Sequence, residues 1–132
     1  MNITIDTSVL LAVCTNEPSK PRLIELTQGH HLLVPASVHW EVGNALSAML
    51  KRARITGVQA QACILAYQQI PVTKIEVDLA AALELAERFQ MYAYDAYLLT
   101  CAIAQRTPLL TLDRALMAAA KQLKIEVPGD ET

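Results

Sequence analysis

The sequence predicts an α/β fold: a short, mainly parallel sheet with helices packed on both sides. Three observations carry this reading. Short β-rich runs (NITID, HHLLVP, PVTKIEV, PLLTL and KIEV) alternate with longer stretches of helical pattern. The chain has 132 residues, which suits one domain, expected over residues 1–128 with 129–132 as a polar tail. Hydrophobic residues make up 53% and aromatics only 5%, so Leu, Ile, Val and Ala must fill the core, as closely packed helices allow.

Each element has its own justification. NITID is β-rich and short, a first strand covered on both faces. TSVLLAVCT continues as a short helix, and NEPSK turns the chain. Pro18 and Pro21 bracket the start of a helix, PRLIELTQG, that stops at Gly29. HHLLVP is a second strand. A long helix follows Pro35, with Ser37 as its N-cap. ITGVQAQACILAYQQI is a helix capped by Thr56, and PVTKIEV a strand or extended connector. DLAAALELAERFQ is a helix capped by Asp78, with Leu79, Leu83, Leu85, Ala86 and Phe89 as its core stripe. AYDAYLLTCAIAQR is a helix that ends before Pro108. PLLTL is a strand, DRALMAAAKQL a helix capped by Asp113, and KIEV a last strand.

Composition narrows the function. The net charge is −2, so binding to long nucleic acid through bulk charge is not expected, and any nucleic-acid contact must be local or run through metal ions. Cys14, Cys63 and Cys101 are odd in number and widely spaced, which indicates neither a zinc knuckle nor a disulfide framework. They read as buried thiols in helices, as suits the cytoplasm. No stretch reaches the roughly 20 apolar residues of a membrane span, and the N-terminus lacks the cationic region of a signal peptide. The chain reads as a soluble cytoplasmic protein.

The acids carry the chemistry. In open α/β sheets, ligands bind beyond the carboxyl ends of the strands. Asp6 ends the first strand, between two apolar runs, where an unpaired carboxylate is costly to bury. Glu41 lies about one turn into the helix after the second strand, Asp95 in the first turn of a late helix, and Asp113 at the end of PLLTL. Each alone fits a structural role, as a helix cap, a first-turn acid or a solvated position. Together they would repel one another and raise each other's pKa, a problem that a divalent cation resolves. An all-oxygen set without His or Cys favours Mg²⁺ or Mn²⁺ over zinc. Two such ions about 3.5–4 Å apart can activate water and stabilise a leaving oxygen in phosphodiester cleavage. Thr7 and Ser8 follow Asp6 and can orient its carboxylate. Asn44 shares a helical face with Glu41, and Thr111 precedes Asp113 by two, on the same side of the strand.

Four blocks, IDTSVLL, SVHWEVGNAL, YDAYLLTCAIA and PLLTLDRAL, resemble the acidic blocks of PIN-domain nucleases in order and spacing along nearly the whole chain. The likeness is greatest to the VapC-type ribonuclease toxins of VapBC toxin–antitoxin modules. The resemblance implies a PIN-like three-layer α/β/α domain. It implies metal-binding, catalytic roles for Asp6, Glu41, Asp95 and Asp113, supported by Thr7 or Ser8 and by Thr111. The implied activity is Mg²⁺- or Mn²⁺-dependent cleavage of RNA by in-line attack of water, leaving a 5′-phosphate and a 3′-hydroxyl. The implied partners are RNA, a cognate antitoxin and a second copy of the chain.

Other polar features read more simply. His30, His31 and His39 resemble a metal set, but adjacent strand residues point to opposite faces, so His30 and His31 do not chelate together. Lys51 to Arg54 read first as cations completing a helix dipole. Arg114, beside Asp113, is a candidate phosphate contact or a neutralising neighbour. Two other functions compete. A non-catalytic PIN scaffold binding RNA or protein has no chemical need for four acids. A phosphoacceptor domain needs adjacent acids after the first strand, where Thr7 and Ser8 stand. The lack of a second Asp at that spacing excludes a DxDxT phosphatase.

Overall fold

A computed structural model describes residues 1–130. The chain runs β1 (Asn2–Ile5), α1 (Thr7–Cys14), α2 (Lys20–Thr27), β2 (His31–Pro35), α3 (Val38–Lys51), α4 (Gly57–Gln69), β3 (Val72–Ile75), α5 (Leu79–Phe89), α6 (Ala93–Gln105), β4 (Leu109–Leu110) and α7 (Arg114–Gln122). The strands form one sheet in the order β3-β2-β1-β4, and every pairing is parallel. Parallel neighbours need crossover connections, and the helices supply them.

β1 is central, so both of its faces must be covered. Ile3 and Ile5 enter a core shared with α1 to α4, including Val9, Leu10, Leu23, Val42, Leu46, Cys63 and Tyr67. Thr4, between them, faces the other layer, where its hydroxyl meets that of Thr107 at 2.7 Å and the Cys101 thiol at 3.7 Å. On that side Leu98, Leu99, Ala102, Leu109, Leu116, Ala119 and Ala120 pack together from α6, β4 and α7. The period-two alternation of a strand thus divides the apolar residues between two helical layers.

The chain leaves β1 toward β2 and β3, then returns to place β4 on the other side of β1. The crevice beyond the carboxyl ends of β1 and β4 is therefore the switch point where α/β sheets bind ligands.

Two expectations are corrected. KIEV forms no strand among the described residues. Lys124 takes a left-handed φ of 60°, and a single backbone bond, from Leu109 N–H to the Glu126 carbonyl at 2.9 Å, joins the segment to β4. Its apolar residues Ile125 and Val127 are buried, which accounts for the β-like pattern. Leu79 and Leu83 are not core: they are 57% and 53% exposed. The stripe that packs against α6 runs instead through Ala82, Leu85, Ala86 and Phe89, at helical spacing. PLLTL shortens to the two strand residues of β4. Of the expected tail, Asp130 pairs with Lys121 at 3.0 Å, and residues 131–132 lie outside the described residues.

Candidate active site

Asp6 stands where β1 gives way to α1, at the N-cap position, yet its side chain caps nothing. Its backbone N–H donates to the Leu110 carbonyl at 3.0 Å, which ties it to the end of β4. Its Oδ2 accepts two hydroxyl bonds, from Ser8 and from Thr111, each at 2.8 Å. Each hydroxyl is oriented in turn by a backbone donor: Leu112 N–H points to Ser8 Oγ at 3.2 Å, and Asp113 N–H to Thr111 Oγ1 at 3.0 Å. Two relays of backbone amide and hydroxyl therefore converge on one carboxylate oxygen. That is how a carboxylate, on a residue only 7% exposed, persists at the end of a buried strand. The other oxygen, Oδ1, accepts nothing from the described residues and is not sealed from solvent.

Glu41 lies in the first turn of α3 and is held on both oxygens. Ser37 donates to Oε2 at 2.8 Å and Thr7 to Oε1 at 3.2 Å. Burial pushes the Glu41 carboxyl above the ordinary range; the charges of Asp6 and Asp95 push the same way, and the Ser37 and Thr7 hydroxyls pull it back. Asp95, in the first turn of α6, is raised by burial first and then by Asp6 and Asp113. Asp113 caps α7 through Oδ1, which accepts Leu116 N–H at 3.1 Å.

Hydrogen bonds tie three of the acid-bearing segments together, Thr111 to Asp6 and Thr7 to Glu41, and the charges of Asp6 and Asp113 push the Asp95 carboxyl up. Among the described residues, no Lys or Arg lies within 4.0 Å of any of the four acids. The donor set suits a hard divalent cation: carboxylates only, without a paired Lys or Arg, and with Asp6 Oδ1 accepting no bond from the described residues. Among the described residues, no group of three or more His, Cys, Asp or Glu stands close enough together to hold a metal ion. Mg²⁺ does not require such a group, since it commonly binds through one or two carboxylates and keeps several waters.

The supporting residues divide. Thr7, Ser8 and Thr111 bond directly to the acids. Asn44 is exposed, and no hydrogen bond joins its side chain to them. Arg114 is exposed at the first position of α7, with no ion pair among the described residues. His39 turns away, its Nδ1 3.2 Å from the Tyr67 hydroxyl. The residue missing from the sequence reading is Ser37. It occupies the N-cap position of α3 but makes no cap bond, and instead holds Glu41. The Ser-to-Glu spacing of four at the helix start was the available signal.

Residues 3–122 match the family described as the PIN domain. No curated protein matches the chain by sequence. Among solved structures, PAE2754 from Pyrobaculum aerophilum is similar with a TM-score of 0.71 and 22% identity, over 96% of this chain and 83% of that one. VapBC2 from Rickettsia felis, solved bound to a DNA fragment from its promoter, is similar with a TM-score of 0.65 and 14% identity, over 96% and 97%. VapC20 of Mycobacterium tuberculosis, a toxin that cleaves the sarcin–ricin loop, is similar with a TM-score of 0.63 and 14% identity, over 89% and 95%.

Proposed function

The chain belongs to the PIN domain family, and from that premise we propose that it is a Mg²⁺- or Mn²⁺-dependent endoribonuclease, the toxin of a type II toxin–antitoxin pair. The observation that carries the reading is the hydrogen-bonded frame at the switch point of the sheet, where Ser8 and Thr111 hold Asp6, and Thr7 and Ser37 hold Glu41, with no Lys or Arg paired to Asp6, Glu41, Asp95 or Asp113 among the described residues. These four would hold the metal. When bound, such an ion lowers the pKa of water and stabilises charge on a phosphodiester and its leaving oxygen.

The chain's own residues prepare that site. Ser8 and Thr111 fix Asp6 through Oδ2 and leave Oδ1 without a donor among the described residues. Thr7 and Ser37 hold the Glu41 carboxylate from both sides, so it need not reorganise when a substrate arrives. Asp95 makes no hydrogen bond among the described residues, so its oxygens remain available. Asp113 presents Oδ2 while Oδ1 caps its helix. Arg114, exposed beside it, is placed to meet a phosphate of the strand. Hydrolysis leaves a 5′-phosphate and a 3′-hydroxyl.

The structural relatives support an antitoxin as partner, since they include VapBC2 and a toxin–antitoxin complex from Klebsiella pneumoniae. A homodimer working in the cytoplasm completes the proposal. No helix of the described residues is long and apolar enough to cross a membrane. The test is cleavage of single-stranded RNA with Mg²⁺, Mn²⁺ or EDTA, by the parent and by Asp6→Asn and Asp95→Asn. Metal-dependent cutting that both substitutions abolish supports the reading. Cutting at the parental rate by either variant sinks the site, and no cutting by the parent under any metal sinks the activity.

A further inference from the structure

Beside the acids lies a second feature that their chemistry does not use. A cavity of about 280 Å³ opens at the carboxyl ends of β2 and β3, lined by Pro35, Ser37, Glu76, Val77, Leu79 and Tyr97 among others. Its floor is fixed where Ala36 N–H donates to the Ile75 carbonyl at 2.9 Å. It adjoins the carboxylate site directly, because Ser37 lines the cavity and also donates to Glu41. By strand order it stands one to two strands from Asp6, about 5–10 Å across the sheet. Its wall includes an aromatic ring, Tyr97, braced edge-on by Tyr94 with centroids 5.9 Å apart. Leu79, left exposed on α5, forms part of the rim. Glu76 is exposed and makes no hydrogen bond or ion pair among the described residues.

An apolar slot with one aromatic wall and one carboxylate matches a flat, hydrogen-bonding ligand. We propose that this cavity receives one base of the RNA strand next to the scissile phosphate, and that Glu76 selects guanine there. The proposal rests on reading the four acids as an RNA-cutting centre. A strand laid across that centre carries its next base toward the β2–β3 edge. Single-stranded RNA is read by stacking on aromatic side chains and by bonds to the base edge. A carboxylate only accepts hydrogen bonds. Guanine alone among the four bases offers two adjacent N–H donors, N1–H and the 2-amino group, which the two oxygens of one carboxylate can take together. Adenine, cytosine and uracil each offer a single donor position on that edge.

Inosine, which is guanosine without the 2-amino group, isolates that second bond. Binding is measured by fluorescence anisotropy in Mn²⁺ on the Asp95→Asn protein, so that cleavage does not intervene. The probes are short oligouridine strands carrying one guanosine or one inosine. The guanosine strand is expected to bind about tenfold more tightly. Adding Glu76→Gln is expected to erase that preference; Glu76 is exposed, so the variant keeps its fold. Tyr97→Ala is expected to weaken all strands roughly tenfold without changing their order. Equal binding of the two strands overturns the proposal and assigns the apolar walls to protein contact. A preference that survives Glu76→Gln overturns the role of Glu76, and a lack of binding by every strand overturns the base pocket itself. The nuclease reading fails separately: a guanosine preference in a protein whose parent cuts no RNA leaves the pocket standing and removes the chemistry.

Discussion

Thr111→Val tests whether the carboxylate of Asp6 is held in place by its relays. Thr111 is 2% exposed, and Val reproduces its shape without the hydroxyl. The substitution removes a 2.8 Å bond to the Asp6 carboxylate and takes away the acceptor of Asp113 N–H at 3.0 Å. A hydrogen bond to a charged group contributes about 1.5–3 kcal/mol, and the partly buried amide left without an acceptor adds up to about 1 kcal/mol. The expected loss is therefore about 1.5–4 kcal/mol. For 132 residues, at about 2.1 cal/mol/K of unfolding entropy per residue, this lowers Tm by roughly 5–14 °C.

The bond's specific share comes from a double-mutant cycle with Asp6→Asn, read by urea denaturation in EDTA. A coupling of about 1 kcal/mol or more is expected, because the two residues touch. Metal affinity should fall about 10- to 100-fold, as it does when a partner that orients a ligand is lost. Additive effects within about 0.3 kcal/mol, with an unchanged metal midpoint, would refute the relay. Thr111 would then be only a core residue that happens to carry a hydroxyl.

Three other outcomes follow from the same geometry. Adding Mn²⁺ at a hundredfold excess over its Kd should raise Tm by about 10 °C over EDTA, from roughly 2.7 kcal/mol of linkage, and Asp95→Asn should shrink that shift; an identical shift in the variant would remove Asp95 from the metal site. In EDTA, Glu41 and Asp95 carry raised pKa values, so their ionised forms cost the folded state stability. That cost is present above the folded pKa and is relieved as pH falls toward the ordinary carboxylate value of about 4; Asp95→Asn should therefore be more stable than the parent at pH 7, with the gap closing on acidification, and a gap that is constant with pH would refute the crowding. Leu99→Ala, at a fully buried position of α6, should cost about 2–5 kcal/mol in urea denaturation, and a loss below 1 kcal/mol would show that the layer over β4 repacks freely.

The parts of the structure legible in the sequence are those set by local chemistry. Asp6 stood out because a charge between apolar runs needs a reason, and its two hydroxyl relays supply one. Thr56 and Asp78 were readable as caps because capping depends on the next three residues alone; Thr56 and Gln59 form a full capping box, and Asp78 accepts Ala80 N–H at 3.1 Å. What was not legible depends on contacts far along the chain. KIEV has the composition of a strand, but only tertiary packing decides that Ile125 and Val127 bury themselves without one. In α5, every Leu fits an apolar stripe. The 11-residue helix has more apolar positions than one face can hold, and contact with α6 selects the Ala82 side. The cavity beside Tyr97 joins β2, β3, α5 and α6, so no sequence window contains it.

The helix starts show where local stability has been given up. Asp6 and Ser37 occupy N-cap positions with side chains suited to capping, yet neither accepts a backbone N–H of the helix it begins. An N-cap bond contributes about 0.5–2 kcal/mol, so leaving two unmade is a measurable sacrifice. Ser19 is also uncapped, but α2 gains a preset start from proline in its first turn and lies away from the acids. Ser37 and Asp6 have no such substitute. Their polar atoms instead meet side chains: Ser37 meets Glu41 in the first turn of α3, and Asp6 meets Ser8 in α1 and Thr111 beyond β4. By contrast Thr56 and Asp78, whose side chains bond to none of the four acids, cap in the ordinary way. Asp113 still caps α7 through Oδ1, so among the acids only the starts of α1 and α3 give up a cap bond for bonds that position a carboxylate, and local rules are expected to be broken at functional sites. The two idle caps therefore serve the carboxylates themselves: one is Asp6, and the other holds Glu41, so cap stability is exchanged for carboxylate position.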